Sequence, residues 1–396
     1  MTDLTVGTRQ RIEAIDRLRG LVMILMAIDH VRDFFSITAF APEDLTQTDT
    51  GYFLTRWITH FCAPIFVFLS GVSAWLHQGN KELSAKELSL FLLTRGLWLI
   101  LLELTVITFF WQFAYNFMIM QVIWAIGWSM IFLALLVFLP RQVTLLIGLA
   151  MVFSHNLFDG LSPASFGSLG WLWNILHVQT FFNTTPMGFG LFVGYPLIPW
   201  VGVAAVGYGL GSVFDQPETE RNRSLLILGA TTVGVFLLLR GFNLYGESGV
   251  APADAIWTDH GRGVWFAVMS FVNTTKYPPS LLFLCMTIGP ALLLMPVFER
   301  MGGPVGRFIT VFGRVPFLFY ILHLPLINLA ATFYNKAIYD QWRINFFNPA
   351  SWPESYEPSL LRLYVVWALV IFVLYWPCKA FMNYRKTHKQ WWLSYL

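Results

Sequence analysis

Arg19 and His30 stand eleven residues apart in the first apolar segment of the chain, which also contains Asp29 and Asp33. If the segment is a helix, that interval puts the guanidinium and the imidazole roughly 16 Å apart along its axis. Eleven steps of about 100° also return the two side chains to nearly the same face. Polar groups are costly in an apolar membrane segment and are usually kept there for function. The spacing suits a long ligand with phosphates at one end and a reactive group at the other.

A histidine at this position can act as a general base when a carboxylate fixes its tautomer and raises its basicity. Asp33 lies one helical turn after His30 and can make that contact, whereas Asp29 points about 100° away from the ring. We therefore predict His30, Asp33 and Asp29 as the catalytic group, with Asp33 as the orienting carboxylate. A structural Asp–His hydrogen bond between helices is the alternative.

Three further residues are predicted to bind a second substrate. His60 begins the second apolar segment and could face the same cavity as His30, although a histidine at the membrane interface fits equally well. Lys276 and Tyr277 belong to the run TTKYPPS at the outer entrance of a later apolar segment. A lysine there could contact an acceptor, and a tight turn that caps the next helix is the alternative.

A second set of residues predicts a site for an anionic ligand that carries phosphates. Arg95 and Glu103, eight residues apart on one apolar segment, form either part of a ligand site or a buried ion pair. The stretch from Gly302 to Pro316 is rich in glycine, so its backbone could approach phosphates, but it lacks the Gly-Lys-Ser/Thr of a P-loop. His323 follows it, and a hydrogen-bonded core histidine is the alternative reading there. The residues predicted to bind this ligand, which the resemblance given below implies is an acyl donor, are Arg19, Arg95, Arg307, Arg314 and His323.

Composition identifies the class of protein to which these residues belong. The 396-residue chain is 56% hydrophobic and only 12% charged, whereas soluble domains have about 25% charged residues. Its 17 Trp and 37 Phe are typical of residues that face lipid and its interfaces. A net charge of +3 argues against nucleic acid as a partner, and the three cysteines lack metal-binding spacing. The chain is therefore predicted to be an all-α polytopic membrane protein without a metal.

Ten apolar runs approach the ~20 residues that a membrane span requires, and they indicate a single integral membrane domain over residues 1–396. The runs lie near 18–36, 58–77, 88–110, 118–139, 143–158, 192–214, 224–241, 279–298, 315–335 and 360–382. A shorter run at 264–273 is predicted to be interfacial or re-entrant.

Charge predicts the orientation of these spans. With the N-terminus in the cytoplasm, 17 of the 25 Lys and Arg residues fall on the cytoplasmic side, as the positive-inside rule requires, and both termini are cytoplasmic. The long outer loops at 37–57, 159–191, 242–278 and 336–359 are rich in aromatic and amide side chains. Such loops often cover a pocket, and their composition suits a sugar or another small polar acceptor.

The motifs now support a family resemblance. Asp16, Arg19 and Gly20, followed by His30, resemble the first-helix signature of the membrane acyltransferase superfamily, which includes the acyltransferase-3 enzymes. The stretch GRVPFLFYILHLP, ending at Pro325, is similar to the Tyr-x-x-His-x-Pro helix of that superfamily. The chain resembles most closely bacterial proteins of the heparan-α-glucosaminide N-acetyltransferase type. Supporting segments are FVFLSG ending at Gly71, GYPLIPW ending at Trp200, KYPPS ending at Ser280 and GRVP ending at Pro316.

The resemblance, which covers about residues 9 to 335, implies transfer of an acetyl or acyl group from cytosolic acyl-CoA to an acceptor across the membrane. It implies that Arg19 helps to hold the donor and that His30 is the catalytic histidine. One departure matters, because lysosomal members carry their presumed catalytic histidine after the first span, and residues 37–57 contain none. Either His30 or His60 would then do the chemistry.

The resulting hypothesis is an acyl-CoA-dependent acyltransferase, most often an acetyltransferase, of the bacterial inner membrane. Its acceptor would be a carbohydrate or another small polar molecule. Membrane lipid surrounds the protein, and a homodimer is one of the open alternatives. The rival hypothesis is a transporter or channel for a small solute or a proton. The absence of a recognisable internal repeat and the separation of inner arginines from outer histidine favour the enzyme.

Overall fold

The helix that carries Arg19 and His30, α1 (Glu13–Phe35), lies in the middle of the bundle and packs against six other helices. Its apolar residues, among them Val22, Ala27 and Val31, are almost completely buried. Asp16 and Arg17 are buried as well, so the charges of α1 lie inside the protein instead of facing lipid. This placement explains how a helix with so many ionisable side chains can belong to a membrane protein.

The computed structural model describes residues 11–183, 190–247, 256–344, 349–388, 390 and 393, and most of these residues are helical. After α1 come α2 (Thr50–Thr59), α3 (Cys62–Lys81), α4 (Ala85–Leu102), α5 (Thr108–Gln112), α6 (Val122–Leu136), α7 (Arg141–Ser154), α8 (Gly170–Leu176), α9 (Leu197–Gly209), α10 (Glu218–Gly241), α11 (Val264–Val272), α12 (Leu281–Arg300), α13 (Gly303–Arg314), α14 (Pro316–Tyr339) and α15 (Leu360–Thr387). A π-helical segment, Glu103–Ile107, joins α4 to α5.

Local sequence accounts for several helix boundaries. Ser84 and Glu87 form a capping box that begins α4, because each side chain bonds to the backbone of the other residue. Proline directly precedes α7, α9 and α10 at positions 140, 196 and 217, where its fixed φ suits the start of a helix. Phe113 ends α5 in a left-handed conformation, with φ of 45°.

Seven helical segments of the described chain are long and apolar enough to cross a membrane. They are Thr50–Lys81, Ala85–Gln112, Leu197–Asp215, Glu218–Gly241, Leu281–Arg300, Pro316–Tyr339 and Leu360–Thr387, and an eighth span results if Arg141–Phe158 and Pro163–Leu176, bent by 111°, cross together. The all-α polytopic membrane fold is thus confirmed. The count of ten stays a prediction, since α1 is rich in charges and α6 has only 15 residues.

The loops hold a small sheet that the sequence did not suggest. Strand β1 (Phe117–Met120) pairs in parallel with β3 (Gly190–Val193), and β2 (Thr180–Asn183) pairs with β3 in the antiparallel sense. The segment predicted as a span at 118–139 therefore starts as a strand, and α6 begins only at Val122. Apolar strand residues and an apolar helix turn have the same composition, which is why this boundary was misplaced.

Glycine allows α1 and α13 to pack backbone against backbone. A Cβ atom at Gly20 would lie 2.1 Å from the carbonyl oxygen of Ile309, and one at Gly313 would lie 1.7 Å from that of Asp16. Both distances are too short for any side chain. The prediction that glycines of the 302–316 stretch approach a ligand is wrong for Gly313, which serves helix packing. The same kind of contact joins α4 to α6 at Gly96 and Gly127.

Candidate active site

Two cavities lie along α1, and they adjoin each other. The first, here called the His30 cavity, has a volume of about 730 Å³ and includes Met26 and His30 of α1 in its wall. The second, the Arg19 cavity, has a volume of about 490 Å³ and includes Arg19 and Met23. Phe66, Val122 and Tyr320 line both cavities. One helix therefore presents an arginine to one cavity and a histidine to the next.

The His30 ring is held by a second histidine. Its Nδ1 lies 2.6 Å from Nε2 of His323, and Nδ1 of His323 lies 2.6 Å from the carbonyl oxygen of Tyr320. A carbonyl oxygen only accepts hydrogen bonds, so Nδ1 of His323 carries a proton. In a neutral His323, Nε2 then accepts a hydrogen bond from Nδ1 of His30. The lone pair of a neutral His30 is consequently on Nε2, which no described residue contacts by a hydrogen bond.

Nε2 of His30 is thus the ring nitrogen that is free to accept a proton, and the partner of the ring differs from the predicted one. The expected contact between Asp33 and His30 is wrong, because the Asp33 carboxylate forms an ion pair with Arg32 at 2.7 Å. His323 was predicted to bind the donor, but it is fully buried, lines neither cavity and contacts the ring of His30. Sequence reasoning paired residues along one helix and could not detect a partner that lies 293 positions away.

Asp29 and Asp33 both line the His30 cavity, as parts of a network of ion pairs. Asp29 pairs with Arg32 at 2.7 Å and with Arg56 at 2.5 Å, so it faces the same cavity as His30 and not another side of the bundle. Arg56 also binds Glu43 of the loop after α1 at 2.5 Å. Arg56 is a site residue that the sequence analysis missed, and no motif marks it.

Glu43 shows how strongly this network favours its charged state. Burial opposes ionisation of the carboxyl, yet the nearby Arg56 guanidinium prevails and holds the pKa of Glu43 well below its usual range. The network ties the loop after α1 to α2 through this pair. It therefore fixes one wall of the His30 cavity.

The three residues predicted to bind the second substrate divide into two groups. Lys276 and Tyr277 line the His30 cavity, and Lys276 is 7% exposed. No carboxylate of the described residues forms an ion pair with Lys276. His60 is 1% exposed and packs edge-on against Phe283, and it is not among the lining residues. The expectation that His60 faces the cavity is wrong.

The four loops that were predicted to lie outside contribute to the wall of the His30 cavity. Loop 37–57 contributes Ile37 and Arg56, and loop 159–191 contributes Gln179. Loop 242–278 contributes Lys276 and Tyr277, and loop 336–359 contributes Trp342, Arg343 and Ile344. The small sheet adds Phe117, Ile119 and Phe192. The amides of Gln112, Gln121 and Asn328 also face this cavity, which gives it hydrogen-bonding groups beside apolar surface.

The Arg19 cavity is strongly basic, and one carboxylate organises its charges. Asp16 binds Arg11 through contacts of 2.5 and 3.0 Å and lies 3.6 Å from Arg19 and 3.5 Å from Arg314. Arg19 is further held by the hydroxyl of Ser73 at 3.1 Å. Glu13 lies 3.9 Å from Arg314, but two carboxylates cannot neutralise three guanidinium groups together with Lys81, Arg95 and Arg385, which line the same space. The cavity therefore has a large excess of positive charge.

Two predictions about the anionic-ligand site, those for Arg307 and for the Arg95–Glu103 pair, are corrected by the structure. Arg307 is exposed on α13 and is not among the residues that line the Arg19 cavity. Glu103 makes no ion pair with Arg95 and instead accepts a hydrogen bond from the backbone N–H of Trp124, at the start of α6. Asp16, which the sequence analysis used only as part of a motif, proves to be the residue that holds the arginines together.

The described residues contain no group of three His, Cys, Asp or Glu side chains that could hold a metal ion. The polar chemistry that they bring together consists of a histidine pair, an ion-pair network and a basic cavity. These groups can bind anions, orient a neutral polar molecule and accept a proton.

Comparison with known families supports this description. The family model described as heparan-alpha-glucosaminide N-acetyltransferase, catalytic, matches residues 11–244, which is more than half of the 396 residues. The matched region contains Asp16, Arg19 and His30, whereas Lys276, Arg314 and His323 lie beyond it. No curated protein matches the chain.

Proposed function

Because the chain belongs to the family of heparan-alpha-glucosaminide N-acetyltransferase catalytic domains, we propose that it transfers an acetyl or other acyl group from acyl-CoA to a sugar-like acceptor. The donor binds in the Arg19 cavity from the cytoplasm, and the acceptor binds in the His30 cavity from the other side. Transfer takes place where the cavities adjoin. The observation that carries the proposal is the basic cavity next to an oriented histidine on one helix.

The charge of the Arg19 cavity supports acyl-CoA as the donor. Guanidinium groups bind phosphates through short, paired hydrogen bonds, and a phosphate-rich nucleotide needs several of them. Arg11, Arg19 and Arg314 gather around Asp16 and are therefore already oriented before a ligand arrives. Roughly 16 Å separate the Arg19 and His30 positions along α1, and the long arm of CoA between its phosphates and its thioester can cover such a distance.

In this proposal His30 acts as the general base. The acceptor hydroxyl or amine attacks the thioester carbonyl carbon while Nε2 of His30 takes its proton, and the positive charge that develops is shared with His323 through their hydrogen bond. The tetrahedral intermediate collapses and expels the CoA thiolate, which takes the proton back. An acyl-histidine intermediate on the same nitrogen is a second route to the same products.

The His30 cavity suits an acceptor of sugar size. Small-molecule sites commonly have volumes of about 300–1,000 Å³, and this cavity, at about 730 Å³, falls within that range. Its aromatic and amide side chains match the apolar faces and hydroxyl groups of a sugar ring. Lys276 and Tyr277 lie in its wall, where they can contact the acceptor.

Proteoliposomes provide the test. Purified protein is reconstituted with trapped amino and neutral sugars, and acetyl-CoA labelled on its acetyl group is added outside. We expect labelled acceptor inside the vesicles and free CoA outside, and we expect a variant with His30→Ala to give neither. If labelled solutes or protons cross the membrane while no acetyl group is transferred to any acceptor, the protein is a transporter and the proposal is wrong.

A further inference from the structure

Tyr320 lies at the boundary between the two cavities, and its hydroxyl has no partner. The residue is 3% exposed, yet it belongs to the lining of both the His30 cavity and the Arg19 cavity. Its phenolic oxygen is buried without a hydrogen bond from any described residue. A buried polar group that lacks a partner is destabilising, because it has lost its hydrogen bonds to water. Such a group is expected to be satisfied by something that binds.

The main chain of Tyr320 already takes part in the histidine pair. Its carbonyl oxygen accepts the hydrogen bond from Nδ1 of His323 at 2.6 Å, and the two rings lie 5.4 Å apart on adjacent turns of α14. His323 in turn contacts His30. Tyr320 and His30 therefore both line the His30 cavity, and Tyr320 also lines the Arg19 cavity.

The other two residues that line both cavities cannot supply a polar side chain. Phe66 and Val122 have apolar side chains. Of the shared lining residues, Tyr320 alone has a side chain that can donate a hydrogen bond to a molecule that reaches from one cavity into the other. On the proposed function, that molecule is the acyl thioester.

We infer that the Tyr320 hydroxyl donates a hydrogen bond to the thioester carbonyl oxygen and stabilises the negative charge that this oxygen gains during acyl transfer. The acceptor oxygen or nitrogen forms a bond to the carbonyl carbon, and the carbonyl electron pair moves onto the oxygen beside Tyr320. His30 holds the acceptor proton. When the carbonyl double bond forms again, the bond from carbon to sulfur breaks, and the CoA sulfur receives the proton from His30. Tyr320 keeps its own proton throughout, so the step balances.

The variant Tyr320→Phe removes only the hydroxyl. Loss of one oxyanion donor lowers kcat by about 10²–10³-fold in other enzymes, and we expect a fall of that order with an unchanged Kd for CoA. Tyr208→Phe is the matched control, because Tyr208 is also buried but its hydroxyl bonds to Gln78 outside both cavities. We expect this control to keep the parental kcat.

A spectroscopic measurement separates binding of the carbonyl from turnover. In a His30→Ala background, which keeps the donor intact, the infrared carbonyl band of isotope-labelled acetyl-CoA should move to lower frequency on binding. The additional Tyr320→Phe change should remove that shift. If parent protein transfers acetyl groups and Tyr320→Phe matches it in both kcat and carbonyl band, the inference is wrong while the proposed function stands. If the parent binds no CoA and transfers nothing, the proposed function itself fails.

Discussion

Nδ1 of His30 lies 2.6 Å from Nε2 of His323, and His323 donates from Nδ1 to the carbonyl oxygen of Tyr320. This chain of contacts sets the tautomer of His30 without a carboxylate. A neutral partner can share a developing positive charge, but it adds no fixed negative charge to the ring. The pair therefore orients the base more than it raises its basicity, which distinguishes it from an Asp–His pair.

The variant His30→Ala should keep CoA binding and lose acyl transfer. General base catalysis contributes about 10²–10⁴-fold to a rate, and the loss would be larger if His30 also carries the acyl group. His60→Ala is the comparison, because His60 is buried, lies 3.5 Å from Glu43 and is not among the lining residues of either cavity. Turnover with acetyl-CoA and titration of CoA measure the two effects. An active His30→Ala protein alongside an inactive His60→Ala protein would assign the chemistry to His60.

The variant His323→Gln should lower kcat less than His30→Ala does. Glutamine can still accept the hydrogen bond from Nδ1 of His30 through its amide oxygen, whereas His323→Phe removes that acceptor and should approach the loss of His30→Ala. Measuring kcat against pH distinguishes a positioning role of His323 from a folding defect. Loss of the residue that fixes the tautomer of His30 should change the pH dependence of the remaining kcat. Identical kinetics for His323→Phe and the parent would contradict the role of the pair.

The variant Arg19→Ala should weaken CoA binding. Loss of one charged hydrogen bond costs about 1.5–3 kcal/mol, which corresponds to roughly 10–100-fold in Kd. Arg307→Ala should leave Kd unchanged, because this side chain is exposed and does not line the cavity. Isothermal titration of CoA into each purified protein gives the comparison. Equal affinities for Arg19→Ala and the parent would remove Arg19 from the donor site.

Acidification should destabilise the wall formed by Glu43 and Arg56. The pKa of Glu43 in the folded protein is well below its usual value of 4.5, so its stabilising effect is present above that value and is lost as the pH falls toward the folded pKa. Thermal unfolding in detergent from pH 6 down to about pH 3 should show a falling Tm. Glu43→Gln should start from a lower Tm at pH 6 and lose less of it on acidification. Parallel curves for the two proteins would exclude this contribution.

Topology can be tested with single cysteines, since the three native cysteines are buried. The positive-inside rule places Arg223 in the cytoplasm and Glu354 outside, and both residues are exposed. A membrane-impermeant maleimide added to intact cells should label Glu354→Cys, and Arg223→Cys should react only after lysis. Labelling of Arg223→Cys in intact cells would reverse the proposed orientation of donor and acceptor.

The sequence was sufficient for the fold class and for part of the site. Hydropathy located the helices, and the interval between Arg19 and His30 placed them in adjoining cavities. The partners of these residues were not predictable in the same way. His323, Arg56 and Arg314 approach α1 from other helices, and their contacts depend on how the bundle packs instead of on spacing along one segment. The Tyr-x-x-His spacing, already part of the family resemblance, was the local signal that placed Tyr320 and His323 together on one helix.

The close glycine contacts fix the spacing of helices around the Arg19 cavity. Gly20 and Gly313 lock α1 to α13, and Gly96 and Gly127 lock α4 to α6. Neither pair can slide apart without losing backbone contact, and both pairs contribute walls to the Arg19 cavity. Arg19 and Arg314 lie one on each helix of the first pair, so the glycine contact keeps the spacing of these two guanidinium groups fixed whether or not a ligand is bound.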